Sequence, residues 1–141
     1  MARVVIAFGG NLEPRERYLE QALRALADFP RTRLVAASEV EETEPVDVPD
    51  EFRALRFLNR VALFETALSP REFSDRMHAV EDSLGRVRTV RNGPRTIDID
   101  MIDYEGVVSS DPDLTLPHPR AMERDFVRIP WQRLVQSADG L

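Results

Sequence analysis

Apolar residues along this chain recur with two different periods, and the order in which the periods change outlines a fold. The run RVVIAFGG is apolar almost throughout and ends on Gly9 and Gly10, as a strand does. NLEPRERYLEQALRALADF then sets Leu19, Ala22, Leu23 and Leu26 at helical spacing, with Pro14 where a first turn tolerates proline and Pro30 closing the helix. TRLVAASEVEETEP reads as one further strand, and the polar, proline-rich EPVDVPDEF as a loop. RFLNRVALFET is a clear strand. SPREFSDRMHAVEDSLG predicts a helix with Ser69 as N-cap and Pro70 at its first position; Phe73, Met77, Val80 and Leu84 share one face, and Gly85 ends it. RVRTVRNGPR is a loop carrying Arg86, Arg88, Arg91 and Arg95, and TIDIDMIDY returns to strand. The rest, EGVVSSDPDLTLPHPRAMERDFVRIPWQRL, predicts short strands, a turn and one or two short helices.

The order strand, helix, strand, strand, helix, strand is that of an α+β chain, a ferredoxin-like split β-α-β sandwich, here with extra short C-terminal strands and helices. A chain of 141 residues is enough for one core, so a single domain over residues 1–141 is expected. No apolar run approaches the ~18 residues a membrane span requires. MARVVIAFGG lacks the h-region and cleavage site of a secretory signal. With Cys 0 there is no disulfide framework, zinc thiolate site or thiol nucleophile, which suits a cytoplasmic protein. A net charge of -6 argues against a broad nucleic-acid-binding face. All 19 basic residues are arginine, so any phosphate is held by guanidinium forks rather than by lysine.

The chemistry concentrates in GPRTIDIDMIDY. Residues two apart on a strand share a face, so Asp98 and Asp100 project together while Ile97, Ile99 and Met101 face the other way. Asp103 alternates to the face opposite that pair. Adjacent carboxylates repel, and the usual remedies are a shared proton or a hard cation. A DxD pair is a weak motif, and spacing alone favours a solvated strand face. The arginine loop leading into the acids shifts the balance toward a polyanionic, metal-bound substrate such as a nucleoside triphosphate. His118, between two prolines and followed by Arg120 and Arg124, suits donation to a phosphate oxygen. His78, three residues before Glu81, also fits an exposed helix position.

Four stretches together carry a family resemblance: AFGGNLEPRERYLEQAL, FLNRVALFETALSPREF, VEDSLGRVRTVRNGPRTIDIDMIDY and LPHPRAMERDFVRIPW. In that order they resemble the 6-hydroxymethyl-7,8-dihydropterin pyrophosphokinases. The resemblance implies an enzyme of folate biosynthesis that transfers diphosphate from its co-substrate ATP to the pterin hydroxymethyl group and releases AMP. It implies that Asp98 and Asp100 hold two Mg²⁺ ions and that Arg86 and Arg95 complete the catalytic set. His78, Glu81, Arg86, Arg95, Met101, Thr115, His118 and Arg124 are the implied ATP contacts. The pterin contacts implied are Thr43, Glu44 and Val46 from the segment that reads the ring edge, Phe57 and Phe126 as the stacking aromatics, Asn59 as the hydrogen-bonding amide, and Asp98. A cytoplasmic monomer is expected, with small-molecule partners only.

Several positions depart from the family pattern as it resembles this chain. RTVRNGPR is a residue shorter, with Asn92 where an aromatic often precedes GPR; His78 replaces a glutamine; Asp113 falls where some members carry a basic residue; Glu41 stands where tyrosine is usual, with no glycine after Pro45; and the chain ends early. Two alternatives therefore stay beside the kinase: a catalytically weakened relative that keeps the fold as a binding module, and an unrelated Mg²⁺-dependent phosphohydrolase using the same acids.

Overall fold

A computed structural model describes residues 1–43, 56–85, 96–120 and 123–139. Strand β1 (Ala2–Gly10) leads to helix α1 (Arg15–Ala27), then β2 (Thr32–Ala37), β3 (Glu41–Thr43), β4 (Phe57–Thr66), helix α2 (Pro70–Ser83), β5 (Asp98–Tyr104), the hairpin β6 (Ser109–Asp111) and β7 (Leu114–Leu116), and helix α3 (Asp125–Asp139). The main sheet runs β2-β4-β1-β5, all neighbours antiparallel, with β3 also paired to β4. Each helical crossover skips one strand: α1 carries the chain from β1 past β4 to β2, and α2 from β4 past β1 to β5. This is the ferredoxin-like α+β arrangement expected from the element order.

Both helices of the repeat cover one face of the sheet. Leu19, Ala22, Leu23 and Leu26 of α1, with Phe73 and Met77 of α2, pack on Val4, Ile6, Phe8, Leu58, Ala62, Phe64, Ile99 and Met101. The helix predicted from SPREF is closed by a capping box: Ser69 Oγ accepts from Glu72 N–H at 3.1 Å, and Glu72 returns a carboxylate to Ser69 N–H at 3.2 Å. Hydrogen bonding to the Ser69 main chain first, and to its side chain second, favours the ionised acid and holds the Glu72 carboxyl below its usual range. Helix α3 covers the opposite face, where Val127 and Leu134 join Val5, Val61, Leu63 and Ile102 in a second core, with Phe126 and Trp131 packed against it.

Three expectations are corrected. The single strand over TRLVAASEVEETEP is broken into β2 and β3, because Ser38 takes over the pairing with β4. Its N–H donates to the Val61 carbonyl at 2.8 Å, and its hydroxyl accepts from Val61 N–H at 2.9 Å. The expected short C-terminal helices are one helix of 15 residues that runs through Pro130. Burial of Val127, Trp131 and Leu134 on the sheet outweighs the local cost of that proline. Asp103 does not alternate away from Asp98 and Asp100. A bulge in β5 leaves Ile102 between two rungs, so that Met101 pairs with Ile6 but Asp103 pairs with Val5, whose side chain lies in the second core. All three acids of GPRTIDIDMIDY thus share the α3 face. Burial, with a smaller push from Glu105, raises the Asp103 carboxyl above its usual range, against a lowering backbone hydrogen bond at Tyr104.

Candidate functional site

The sheet register aligns the chemistry in one rank. Asp98 on β5 is opposite Gly9 on β1; Gly9 is opposite Asn59 on β4; Asn59 is opposite Glu41 on β3. Two ranks further along, on the same face, Asp100 faces Ala7, and Ala7 faces Val61. Ala7 and Val61 belong to the second core, so the two acids and the amide project on the α3 side, while Ile99 and Met101 point into the first core. With ~4.8 Å between strands, Asp98 and Asn59 stand roughly 10 Å apart across the glycine. That gap is floored by backbone alone.

Asn59 is only 8% exposed, and its orientation is set by β3. Its Nδ2 donates to Thr43 Oγ1 at 2.6 Å and, more weakly, to the Glu41 carbonyl at 3.4 Å. Both amide protons are then used within the protein, and Oδ1 is the acceptor left facing Gly9. A Cβ on Gly9 would stand 3.1 Å from that oxygen. Phe57, two residues along β4 from Asn59, shares its face and pairs with Thr43. Phe126, in the first turn of α3, packs against the second core with the Arg124 guanidinium 6.0 Å above its ring centroid.

The outer edge of β5 is tied from both sides. Glu81, 3% exposed on α2, accepts from Ile99 N–H through Oε2 at 2.8 Å, while its Oε1 lies 3.1 Å from Nδ1 of the half-exposed His78. Further along, His118 N–H donates to the Ile102 carbonyl at 2.7 Å. His118 Nδ1 accepts from Arg120 N–H at 3.3 Å, which leaves Nε2 as the proton-bearing nitrogen of the neutral ring. Burial first, then the positive charges of Arg124 and Arg120, hold the His118 pKa below the usual histidine value. Arg124 immediately precedes α3, its carbonyl accepting from Val127 N–H at 3.0 Å and Arg128 N–H at 2.8 Å.

The structure therefore brings Thr43, Phe57, Asn59, Asp98, Asp100 and Phe126 to one face, with His118 bonded to the strand that bears the acids. It does not bring the Met101 side chain there: at 5% exposure it is packed in the first core. Thr115 sits on the β6–β7 hairpin, its hydroxyl donating to the Asp111 carbonyl at 3.0 Å. Arg86, Arg95, Glu44 and Val46, like Asn92, lie outside the described residues. Among the described residues no three His, Asp or Glu side chains form a ready-made metal cage. Gly9 was missed by sequence reasoning, which took Gly9-Gly10 only as a strand end. The available signal was a glycine where β1 pairs with both the DxD strand and the FLN strand.

Residues 5–136 match the family described as 7,8-dihydro-6-hydroxymethylpterin-pyrophosphokinase. The chain is 36% identical over 134 residues to the 2-amino-4-hydroxy-6-hydroxymethyldihydropteridine pyrophosphokinase of Bacillus subtilis, covering 95% of this chain and 78% of that one. It is 40% identical over 129 residues to the protein of the same name from Pseudomonas aeruginosa, covering 91% and 77%. With the Methylorubrum extorquens protein of that name it shares 38% identity over 130 residues, 92% of this chain and 80% of the other. A match over nearly the whole chain, carried by the strands and helices that build the site, makes this protein a member of the 7,8-dihydro-6-hydroxymethylpterin-pyrophosphokinase family.

Proposed function

We propose that this protein transfers the diphosphate of ATP to the hydroxymethyl group of 6-hydroxymethyl-7,8-dihydropterin, giving the pterin diphosphate and AMP in folate biosynthesis. The observation that carries the reading is the rank Asp98, Gly9, Asn59, which sets an acidic pair and a hydrogen-bonding amide at either end of a backbone-floored gap. Asn59 Oδ1 accepts from the flat heterocycle, and Phe57 and Phe126 offer it aromatic faces from the sheet and from α3. A pterin held at Asn59 points its substituent across Gly9 toward Asp98. The hydroxyl then attacks the β-phosphorus of ATP in line, and AMP departs.

Asp98 and Asp100 fit Mg²⁺. This ion typically takes one or two carboxylates and completes its shell with water and substrate phosphates, so a pair on one face suits it better than a closed protein cage would. Two such ions, when bound, would neutralise charge on the triphosphate and lower the pKa of the attacking hydroxyl. In this reading His118 donates Nε2–H to a phosphate oxygen and Arg124 adds a charged donor beside it, while Arg86 and Arg95 close on the phosphates. Glu81 acts through the backbone of β5, and His78 and Thr115 border the nucleotide. The assigned residues lie on one chain, so a monomer suffices, and a cytoplasmic location fits a chain without cysteine. No helix among the described residues is long and apolar enough to cross a membrane.

The test is to incubate the protein with ATP, Mg²⁺ and the pterin and to quantify AMP. AMP formation that requires the pterin is expected. ADP or phosphate released without pterin would instead indicate a phosphohydrolase, and ATP binding without turnover a binding module.

A further inference from the structure

At the start of α1, Arg15 joins two segments far from it in sequence. Its Nε donates to Glu13 Oε1 at 2.8 Å. Its Nη1 donates to the Arg56 main-chain carbonyl at 3.0 Å and to Glu42 Oε2 at 3.3 Å. The other oxygen of Glu42, Oε1, accepts from Arg56 Nη1 at 3.3 Å. Arg15 is only 21% exposed, so its bonds are less screened than those of an ordinary surface pair.

What these bonds hold is the pterin side of the site. Glu42 precedes Thr43, and Arg56 precedes Phe57; Thr43 and Phe57 form a rung of the β3–β4 ladder. Among the described residues β3 is three residues long, pairs with β4 alone and is largely exposed, so its ladder fixes it weakly. Yet β3 supplies the Thr43 oxygen that takes the Asn59 amide proton at 2.6 Å and leaves Asn59 Oδ1 directed at the ligand. A shift of β3 along β4 would release that amide.

We propose that Arg15 is a positioning residue for pterin recognition: one guanidinium clips Glu42 and Arg56 together, fixes β3 in register, and so orients Asn59 through Thr43. The inference rests on the pterin reading of Asn59 and Phe57. It assigns Arg15 no contact with either substrate.

The test is steady-state kinetics on the full chain carrying Arg15→Met, which keeps an apolar stem and removes every guanidinium bond. Arg15→Lys, Glu42→Gln, the Arg15→Met/Glu42→Gln double variant and Arg33→Met accompany it. Arg33 pairs with Glu65 between β2 and β4, away from the clip, and is the control. Arg15→Met is expected to raise KM for the pterin about tenfold, a change of 1.4 kcal/mol, while KM for ATP stays at the wild-type value. Arg15→Lys should fall between, since one ammonium cannot reproduce the forked geometry. The double variant should match the worse single one, because both break a single device. Arg33→Met should leave both constants unchanged. An unaltered pterin KM in Arg15→Met, or a parallel rise in both KM values, overturns the clip. A wild-type protein that makes no pterin-dependent AMP overturns the functional reading itself, before any variant is compared.

Discussion

Gly9 and Asn59 face each other across β1 and β4, and the glycine leaves no room for a side chain beneath the amide. A Cβ there would meet Asn59 Oδ1 at 3.1 Å, tighter than side chains ordinarily pack. The amide cannot simply lift away, because its nitrogen is held by Thr43 at 2.6 Å. Gly9→Ala should therefore strain the pair, at the ~1–3 kcal/mol typical of overpacking. Its new methyl also stands in the gap between Asn59 and Asp98. The expected result is a pterin KM raised by about tenfold or more with KM for ATP little changed, measured by AMP release. Wild-type pterin KM in Gly9→Ala would show that the ligand does not cross the glycine.

Asp98 and Asp100 differ in setting though they share a face: Asp98 is partly buried opposite Gly9, and Asp100 is exposed opposite Ala7. Asp98→Asn and Asp100→Asn keep shape and remove charge. Each should cut turnover by about a hundredfold or more, since an interaction with charge developing in the transition state is typically worth ~3 kcal/mol or more. Stability at the exposed Asp100 should change far less than turnover does. AMP release at saturating Mg²⁺, alongside urea unfolding, separates the two effects. Near-normal turnover in either variant would mean that its carboxylate does not hold the metal.

The two repeats of strand and helix were legible because their signals are local. Leu19, Ala22, Leu23 and Leu26 had to be buried if α1 formed, and they are. Ser69, Pro70 and Glu72 fix the start of α2 by bonds made within four residues. The shared face of Asp98 and Asp100 followed from the period of a strand, which holds over that short span. It failed one turn of the pleat later, since the bulge at Ile102 arises from pairing with β1 and leaves no mark in the β5 sequence itself. Ser38 breaks its strand through bonds to Val61 that only the assembled sheet supplies. Gly9 and Arg15 were missed for the same reason: what each does depends on residues some 27 to 50 positions away that the register brings alongside. The length of helix α3 is not legible locally, where Pro130 speaks against it, while the second core, which speaks for it, is tertiary.

His118 makes stability depend on pH in a definite direction. Burial, Arg124 and Arg120 all disfavour its protonated form, so its folded pKa lies below the ordinary value of 6.5 that the unfolded chain would show. As pH falls through 6.5 the unfolded state takes up a proton that the folded state refuses. The contribution of the neutral ring is thus fully present above that pH and is lost progressively toward the depressed folded value. Urea midpoints measured between pH 7.5 and 5.5 should fall more steeply for the wild type than for His118→Gln, whose side chain does not titrate. Parallel slopes would mean that the ring is as free to protonate in the fold as out of it.

Glu81 carries a second stability prediction that reaches the site. Its buried carboxylate is the partner of Ile99 N–H on the outer edge of β5, and Ile99 is the residue between Asp98 and Asp100. Glu81→Ala would strand that donor in the interior at a cost of about 1–3 kcal/mol. Glu81→Gln retains an oxygen that can accept the same proton while presenting an N–H to His78 Nδ1, so it should lose much less. If the bond matters for holding the acids, turnover should follow the same order: wild type, then Glu81→Gln, then Glu81→Ala, with the urea midpoint tracking it. Equal stability of the two variants would deny the bond its structural weight. Loss of turnover in Glu81→Gln at full stability would assign the carboxylate charge itself to the nucleotide rather than to the strand.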